Sequence, residues 1–269
     1  MASDENRKKD HAQRDIISRI PNWGWLLISF LTAMLLWKWL SVNPTTARSF
    51  PFAPEVLASL GTMIERGVLW QDFRSSMISV VMGFVLGFVT SVPVAFLMAW
   101  YRPVRYIVEP WIQFIRNIPP LAYVPLVVIS AGVGRRPQVI VIWLATFLIM
   151  TVTIYQGVRN VDETLIKAAK VLGAKDSDLF VKVIFPATTP FIITAVRLGV
   201  SVALTTLIAA ESTGAIAGMG MRIRSLNNTF EVEPMLLYII MIGIIGITSE
   251  KIIKYLERRF TGWQETRNV

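Results

Sequence analysis

The chain has no cysteine and a single histidine, His11. It therefore cannot assemble a disulfide, a Cys/His metal centre or a Ser-His-Asp triad, and most hydrolytic and redox chemistries fall away. Charge is also scarce: 17% of the 269 residues are Asp, Glu, Lys or Arg, against about 25% in an average soluble domain. No Gly-x4-Gly-Lys-[Ser/Thr] phosphate loop occurs, so a process driven by ATP would need the nucleotide bound on another chain.

Uninterrupted apolar sequence, by contrast, is abundant. No charge falls between Ser75 and Tyr101, between Pro137 and Val158, or between Pro234 and Ser249, and a Trp-rich run extends from Ile20 to Trp37. A helix crossing a bilayer needs about 20 predominantly apolar residues. These runs predict an all-α integral membrane protein with about six spans, near 22–42, 75–100, 107–131, 137–158, 187–212 and 234–255. The first apolar stretch follows some twenty polar residues and lacks a small-residue cleavage site, so it reads as an uncleaved span. The domain reading is an N-terminal arm 1–21, a transmembrane region 22–257 and a tail 258–269.

The 27 Lys and Arg against 18 Asp and Glu are explained by membrane orientation rather than by nucleic acid. With both termini inside, segments 1–21, 101–106, 159–186 and 251–269 carry 5, 2, 5 and 5 basic residues, 17 in all, and the opposite side carries 7. This asymmetry predicts N-terminus and C-terminus cytoplasmic. Lys38, near the outer end of the first span, is expected to snorkel.

Pro119, Pro120 and Pro125 interrupt the third span and predict a kinked or broken helix. Gly83 and Gly87 allow close approach of another helix, more commonly within one subunit than between subunits. The stretch 43–74 reads as a turn followed by a short surface helix. Segment 159–186 predicts two short helices. One runs from about 161 to 172, with Asn160 and Glu163 as a capping box and Gly173 as its left-handed stop; the other starts at Asp176 and ends before Pro186.

Within that segment Lys167-Ala168-Ala169, Gly173 and Val183-Ile184-Phe185-Pro186 resemble the EAA loop of permease subunits of binding-protein-dependent ABC importers, with every spacing kept. The motif glutamate is replaced by Lys167. Further similarity lies in Arg116 to Leu126, in Arg197-Leu198-Gly199, in Ala209-Ala210-Glu211 and in the glycine-rich stretch Gly214 to Gly220. The pattern is closest to the nitrate, sulfonate, taurine and bicarbonate branch. The resemblance implies a MetI-like type I importer permease in the bacterial inner membrane, carrying a small substrate, with no catalytic site, metal or cofactor of its own. It further implies a second copy of the chain, two cytoplasmic ATPase subunits that carry the ATP and Mg, and an external binding protein. Lys167, Ala168, Ala169, Gly173 and Pro186 are then the expected ATPase-coupling residues.

Ionisable groups inside a membrane are costly and mark candidate pathways. Arg116, Arg197 and Glu211 are such groups, Asn117 and Pro120 beside Arg116 complete the candidate pathway, and the two arginines would favour an oxyanion. Arg197 and Glu211 lie fourteen residues apart, close to four helical turns, and so share a helix face about 21 Å apart. Each charged group alternatively makes a structural pair. An ion-coupled carrier, which usually needs acidic or histidine groups in mid-membrane, is the competing class of transporter, and Glu211, late in its span, is its single candidate.

Overall fold

In the computed structural model, which describes residues 21–260, helices α1 (Asn22–Val42), α2 (Ala53–Glu65), α3 (Val68–Trp100), α4 (Arg102–Arg116), α5 (Pro120–Ala131) and α6 (Arg135–Arg159) come first. They are followed by α7 (Glu163–Val171), α8 (Asp176–Leu179), a π-helical turn (Phe180–Ile184), α9 (Phe185–Gly214), α10 (Met219–Thr229) and α11 (Val232–Phe260). The expected arm, apart from Pro21, and the tail beyond Phe260 lie outside the described residues.

The described residues fall into two units, one up to residue 60 and one from residue 61 onward. In the first, α1 presents large apolar side chains all round, including Trp23, Trp25, Leu26 and Ile28, as a lipid-facing helix does. Its C-terminal turn is tied back by the Trp37 indole and the Ser41 hydroxyl, which donate to the Pro51 carbonyl at 2.9 and 3.3 Å. Lys38 is exposed, one turn from the C-terminal end of α1.

The second unit is built around α6, with α3 and α9 packed on it. Its interior combines a large apolar core around Leu148, Met150 and Ile154 with a face of small and polar residues on α3. Along α3 the buried positions include Asp72, Ser76, Ser79, Gly83, Gly87, Ser91 and Ala95, with Val80, Phe96 and Met98 as the larger ones, while Val81, Met82, Val85, Leu86 and Val89 point outward. Lipid solvates the large apolar groups, so small residues that let backbones close together occupy the contacts. A Cβ at Gly83 would meet Ile142 Cβ at 2.7 Å, and one at Gly87 would collide with Thr146 Oγ1. At Gly157 and Gly199, added carbons would collide with Phe191 and Met150. The Gly83/Gly87 pair thus serves packing within the subunit. Polar groups on this face pair across the helices: the Ser79 hydroxyl donates to Gln138 Oε1 at 2.7 Å.

Among the described residues, five helices are long and apolar enough to cross a membrane, or six if the pair α4 and α5 counts as one span. That pair is bent by 103°, which realises the break expected from Pro119 and Pro120: Pro119 is the N-cap and Pro120 the first residue of α5. Three boundaries differ from expectation. α3 begins at Val68, seven residues before the charge-free run. α7 is capped by Asp162, whose carboxylate accepts from the Thr164 N–H at 2.7 Å, in place of Asn160. The helix after it does not stop at Pro186 but continues from Asp176 to Gly214. Pro186 stands in the first turn of α9, beside the π-helical turn where the hydrogen-bond ladder changes register, and there a missing N–H is tolerated.

Candidate functional site

Chain direction gives the second unit two ends. α3, α6 and α11 run from one to the other and α9 returns, so α7 caps one end and α10 the other.

At the first end, α7 stands out from the bundle. Ile166 and Ala169 on one side pack against the core, whereas Leu165, Lys167, Ala168, Val171 and Leu172 are exposed. Val171 and Leu172 are 88% and 87% exposed. Lys167 lies on the outer face and its Nζ pairs with Glu163 at 3.0 Å, one turn back. The helix stops in a Schellman arrangement: the Gly173 N–H donates to the Lys170 carbonyl at 3.0 Å and the Ala174 N–H to the Ala169 carbonyl at 3.0 Å. The residue between must be left-handed, and Gly173 has φ +80°. The Thr164 N–H donated to Asp162 holds that carboxyl below the usual range. Behind α7, the Phe180 ring in the π-helical turn lies 5.1 Å from Phe96 and 6.0 Å from Trp100 at the end of α3. The protruding helix is therefore mechanically joined to the bundle.

At mid-depth, the break between α4 and α5 opens a cavity of about 320 Å³ lined by Arg116, Pro120, Tyr123, Leu148, Thr205 and Thr206, among others. Two further lining residues fix its depth: Ala145 is ten residues from the first residue of α6 and Ile149 ten from the last, so the cavity lies near the middle of that helix. Arg116 is exposed and has no ion-pair partner among the described residues. Asn117 does not line the cavity; its side-chain amide donates to the Gln113 carbonyl at 2.7 Å. On the neighbouring face of α9 a groove of about 360 Å³ runs between α9 and α11 past Arg197, Ser201, Thr205, Gly243, Gly246 and Glu250. Arg197 is ion-paired with Glu257. Thr205 borders both spaces.

Glu211 belongs to neither space. It is 1% exposed, and its carboxylate accepts from Ser76 Oγ at 2.7 Å and from the Gly220 N–H at 2.7 Å. The shared face with Arg197 expected from helical spacing corrects to two different neighbourhoods, because α10 folds back over the last turn of α9 and encloses Glu211. Beside it, Asp72 on α3, 0% exposed, accepts from the Gly218 N–H at 3.1 Å, Arg222 Nε at 2.7 Å and the Tyr238 hydroxyl at 3.0 Å. Ser76 in turn accepts from the Met219 N–H at 2.8 Å. The first N–H groups of α10 are thus satisfied by side chains from α3 and α9, and two carboxylates sit at its positive end. Gly218 is at φ +147°, and a Cβ there would collide with the Glu211 carboxylate. Asp72 also keeps the Arg222 pKa raised, first through their hydrogen bond. Sequence reading left Asp72, Arg222 and Tyr238 out. A usable signal was present: Asp72, Ser76, Ser79, Gly83 and Gly87 recur every three or four residues, one small or polar stripe running into an apolar helix.

A bundle of apolar helices with inward-facing small and polar groups, a broken helix at mid-depth and an exposed short helix at one end defines a multi-pass membrane permease. Residues 91–262 match the family described as "Binding-protein-dependent transport system inner membrane component", and the chain belongs to that family. It is 41% identical over 248 residues, 92% of this chain and 98% of the relative, to a probable ABC transporter permease protein of Brucella abortus (strain 2308). It is 32% identical over 260 residues, 91% and 94% of the two chains, to the taurine transport system permease protein TauC of Escherichia coli (strain K12). Among solved structures, an amino acid ABC transporter with histidines superposes with TM-score 0.64 at 17% identity, over 74% of this chain and 97% of that one. The chain is an ABC importer permease, in the branch that holds taurine, sulfonate and bicarbonate permeases.

Proposed function

We propose that this subunit passes a small oxyanion of the sulfonate or bicarbonate class across the bacterial inner membrane, while ATP is bound and hydrolysed, with Mg, on partner ATPase subunits that grip α7. The observation that carries the coupling half of this reading is α7 itself. Leu165, Val171 and Leu172 are large, apolar and exposed on a helix that projects past the end of the bundle, where a protein partner would cover them. Ala168 and the absent side chain at Gly173 leave room for a groove to close around the helix. The basic-residue asymmetry supports placing this end, with both termini, in the cytoplasm. Two copies of the chain would then present two such helices to two ATPase subunits, and a binding protein would deliver substrate at the opposite end.

The substrate half rests on Arg116. An unpaired guanidinium at mid-depth, beside a broken helix and the Thr205 and Thr206 side chains, suits a passing anion better than a cation or a neutral solute. Arg197, already shared with Glu257, would contribute less field. Pro120 shapes the break, and Lys167 substitutes a locally paired cation for the motif carboxylate.

Purification from native membranes with a tag on this chain alone tests the coupling half. Recovery of a stoichiometric ATPase subunit, lost in Leu172→Glu or Ala168→Glu while the chain still elutes as one species, is the expected result. A chain that purifies without any ATPase contradicts it.

A further inference from the structure

A second cavity lies at the α10 end of the bundle, apart from the passage. It has a volume of about 460 Å³ and is lined by Gly67, Trp70, Gln71, Arg74, Ser75 and Arg135, among others. Arg74 comes from the second turn of α3 and Arg135 from the first residue of α6. Neither has a carboxylate partner among the described residues, although their neighbours do: Arg66 pairs with Glu231 and Arg222 with Asp72. Two guanidinium groups without counter-charge, next to hydrogen-bonding Gln71 and Ser75, form a receptor for a phosphate or another oxyanion.

This polar cavity does not stand alone. Gly67 and Trp70 also line an adjoining groove of about 330 Å³ whose other walls are Ile64, Leu69, Phe73 and Met241. The groove is wholly apolar in its side chains, and Met241 is nine residues into α11, so the groove reaches about 13 Å toward the middle of the bundle. Trp70, 70% exposed and stacked at 5.6 Å on Phe73, stands between the two spaces. An amphipathic indole in that position marks the boundary between headgroups and hydrocarbon. At Gly67 no side chain obstructs the passage from one space to the other.

We infer that this double cavity is a binding site for an anionic glycerophospholipid, its phosphate held by Arg74 and Arg135 and one acyl chain laid along Ile64, Phe73 and Met241. The charge match decides against a zwitterionic lipid, and the contiguous apolar groove decides against a free phosphate. Because the cavity abuts Ser75, whose hydroxyl donates to the Ala217 carbonyl at 3.0 Å, the bound lipid would brace the segment leading into α10.

The test is native mass spectrometry of the purified transporter in mild detergent, titrated with phosphatidylglycerol, with phosphatidylcholine of the same acyl chains, and with glycerol 3-phosphate. The expected result is a preference for phosphatidylglycerol of roughly thirtyfold, from two arginines at the surface. It should be lost in the Arg74→Gln/Arg135→Gln double variant and kept in Arg74→Lys/Arg135→Lys, which shows that the fold survives. Trp70→Ala should weaken both lipids together. Equal retention of the two lipids, an undiminished preference in the double Gln variant, or competition by glycerol 3-phosphate at concentrations similar to the lipid would each overturn the proposal. Loss of binding-protein docking in the double Gln variant with lipid retention unchanged would also overturn it, assigning the arginines to a protein partner.

Discussion

Replacing Asp72 by Ala should release α10 from the bundle. In the native protein this carboxylate, 0% exposed, satisfies three donors at once: the Gly218 N–H, Arg222 Nε and the Tyr238 hydroxyl. Removing one partner of a buried charged pair costs about 3–5 kcal/mol. The Arg222 side chain is 23% exposed, so its guanidinium can turn partly to water, and the low end, about 3 kcal/mol, is the better figure. That corresponds to about a hundredfold in the docking equilibrium of the segment. Hydrogen exchange of the complex in detergent reads it directly: amides of 218–229 should exchange about a hundredfold faster, while those of α7, at the other end, stay as they were. A double-mutant cycle with Arg222→Gln should show strong coupling, because the second change removes a group that the first has already orphaned. Unchanged protection of 218–229 in Asp72→Ala would refute the idea that side chains of α3 hold α10 down.

Other outcomes follow from the same geometry. Gly157→Ala places a carbon against the Cβ and ring of Phe191, which cannot yield like the end of a flexible chain, so a loss of about 1–3 kcal/mol is expected and a thermal melt of the solubilised complex checks it. Arg116→Gln should reduce uptake of the cognate anion while leaving ATPase association intact, and unchanged uptake would remove Arg116 from the pathway. For Asp162 the sign follows from its lowered pKa: the cap is fully present above the ordinary carboxylate value and is lost as pH falls through the lowered one. Helicity of α7 should therefore be flat from neutral pH down to about 4 and drop only below it, as exchange rates at the Thr164 amide would report.

The spans were legible because lipid demands long charge-free runs, and the break between α4 and α5 because prolines at 119 and 120 remove donors wherever they fall. Helix α7 was legible from Ala168, Ala169 and Gly173, whose spacing sets a short helix and its stop. The start of α3 was not. Asp72 fell outside the expected span because its charge is costly in lipid, and its acceptance depends on Arg222, Tyr238 and a turned backbone at Gly218, more than 140 residues away. Glu211 misled for the same reason: helical phase put it on a face, but α10, which carries no long apolar signal, closes over that face. Asn160 lost the cap to Asp162 because both lie within reach of the first turn and only the backbone decides which side chain meets a free N–H.

If α7 couples an ATPase to passage of a small oxyanion, uptake must depend on ATP and on the exposed face of that helix. The purified complex in proteoliposomes, with the binding protein and taurine or bicarbonate on one side and ATP with Mg on the other, tests it most directly. Uptake that requires ATP, persists when ion gradients are collapsed and disappears in Leu172→Glu is expected. Uptake that follows an ion gradient without ATP would contradict it and identify an ion-coupled carrier.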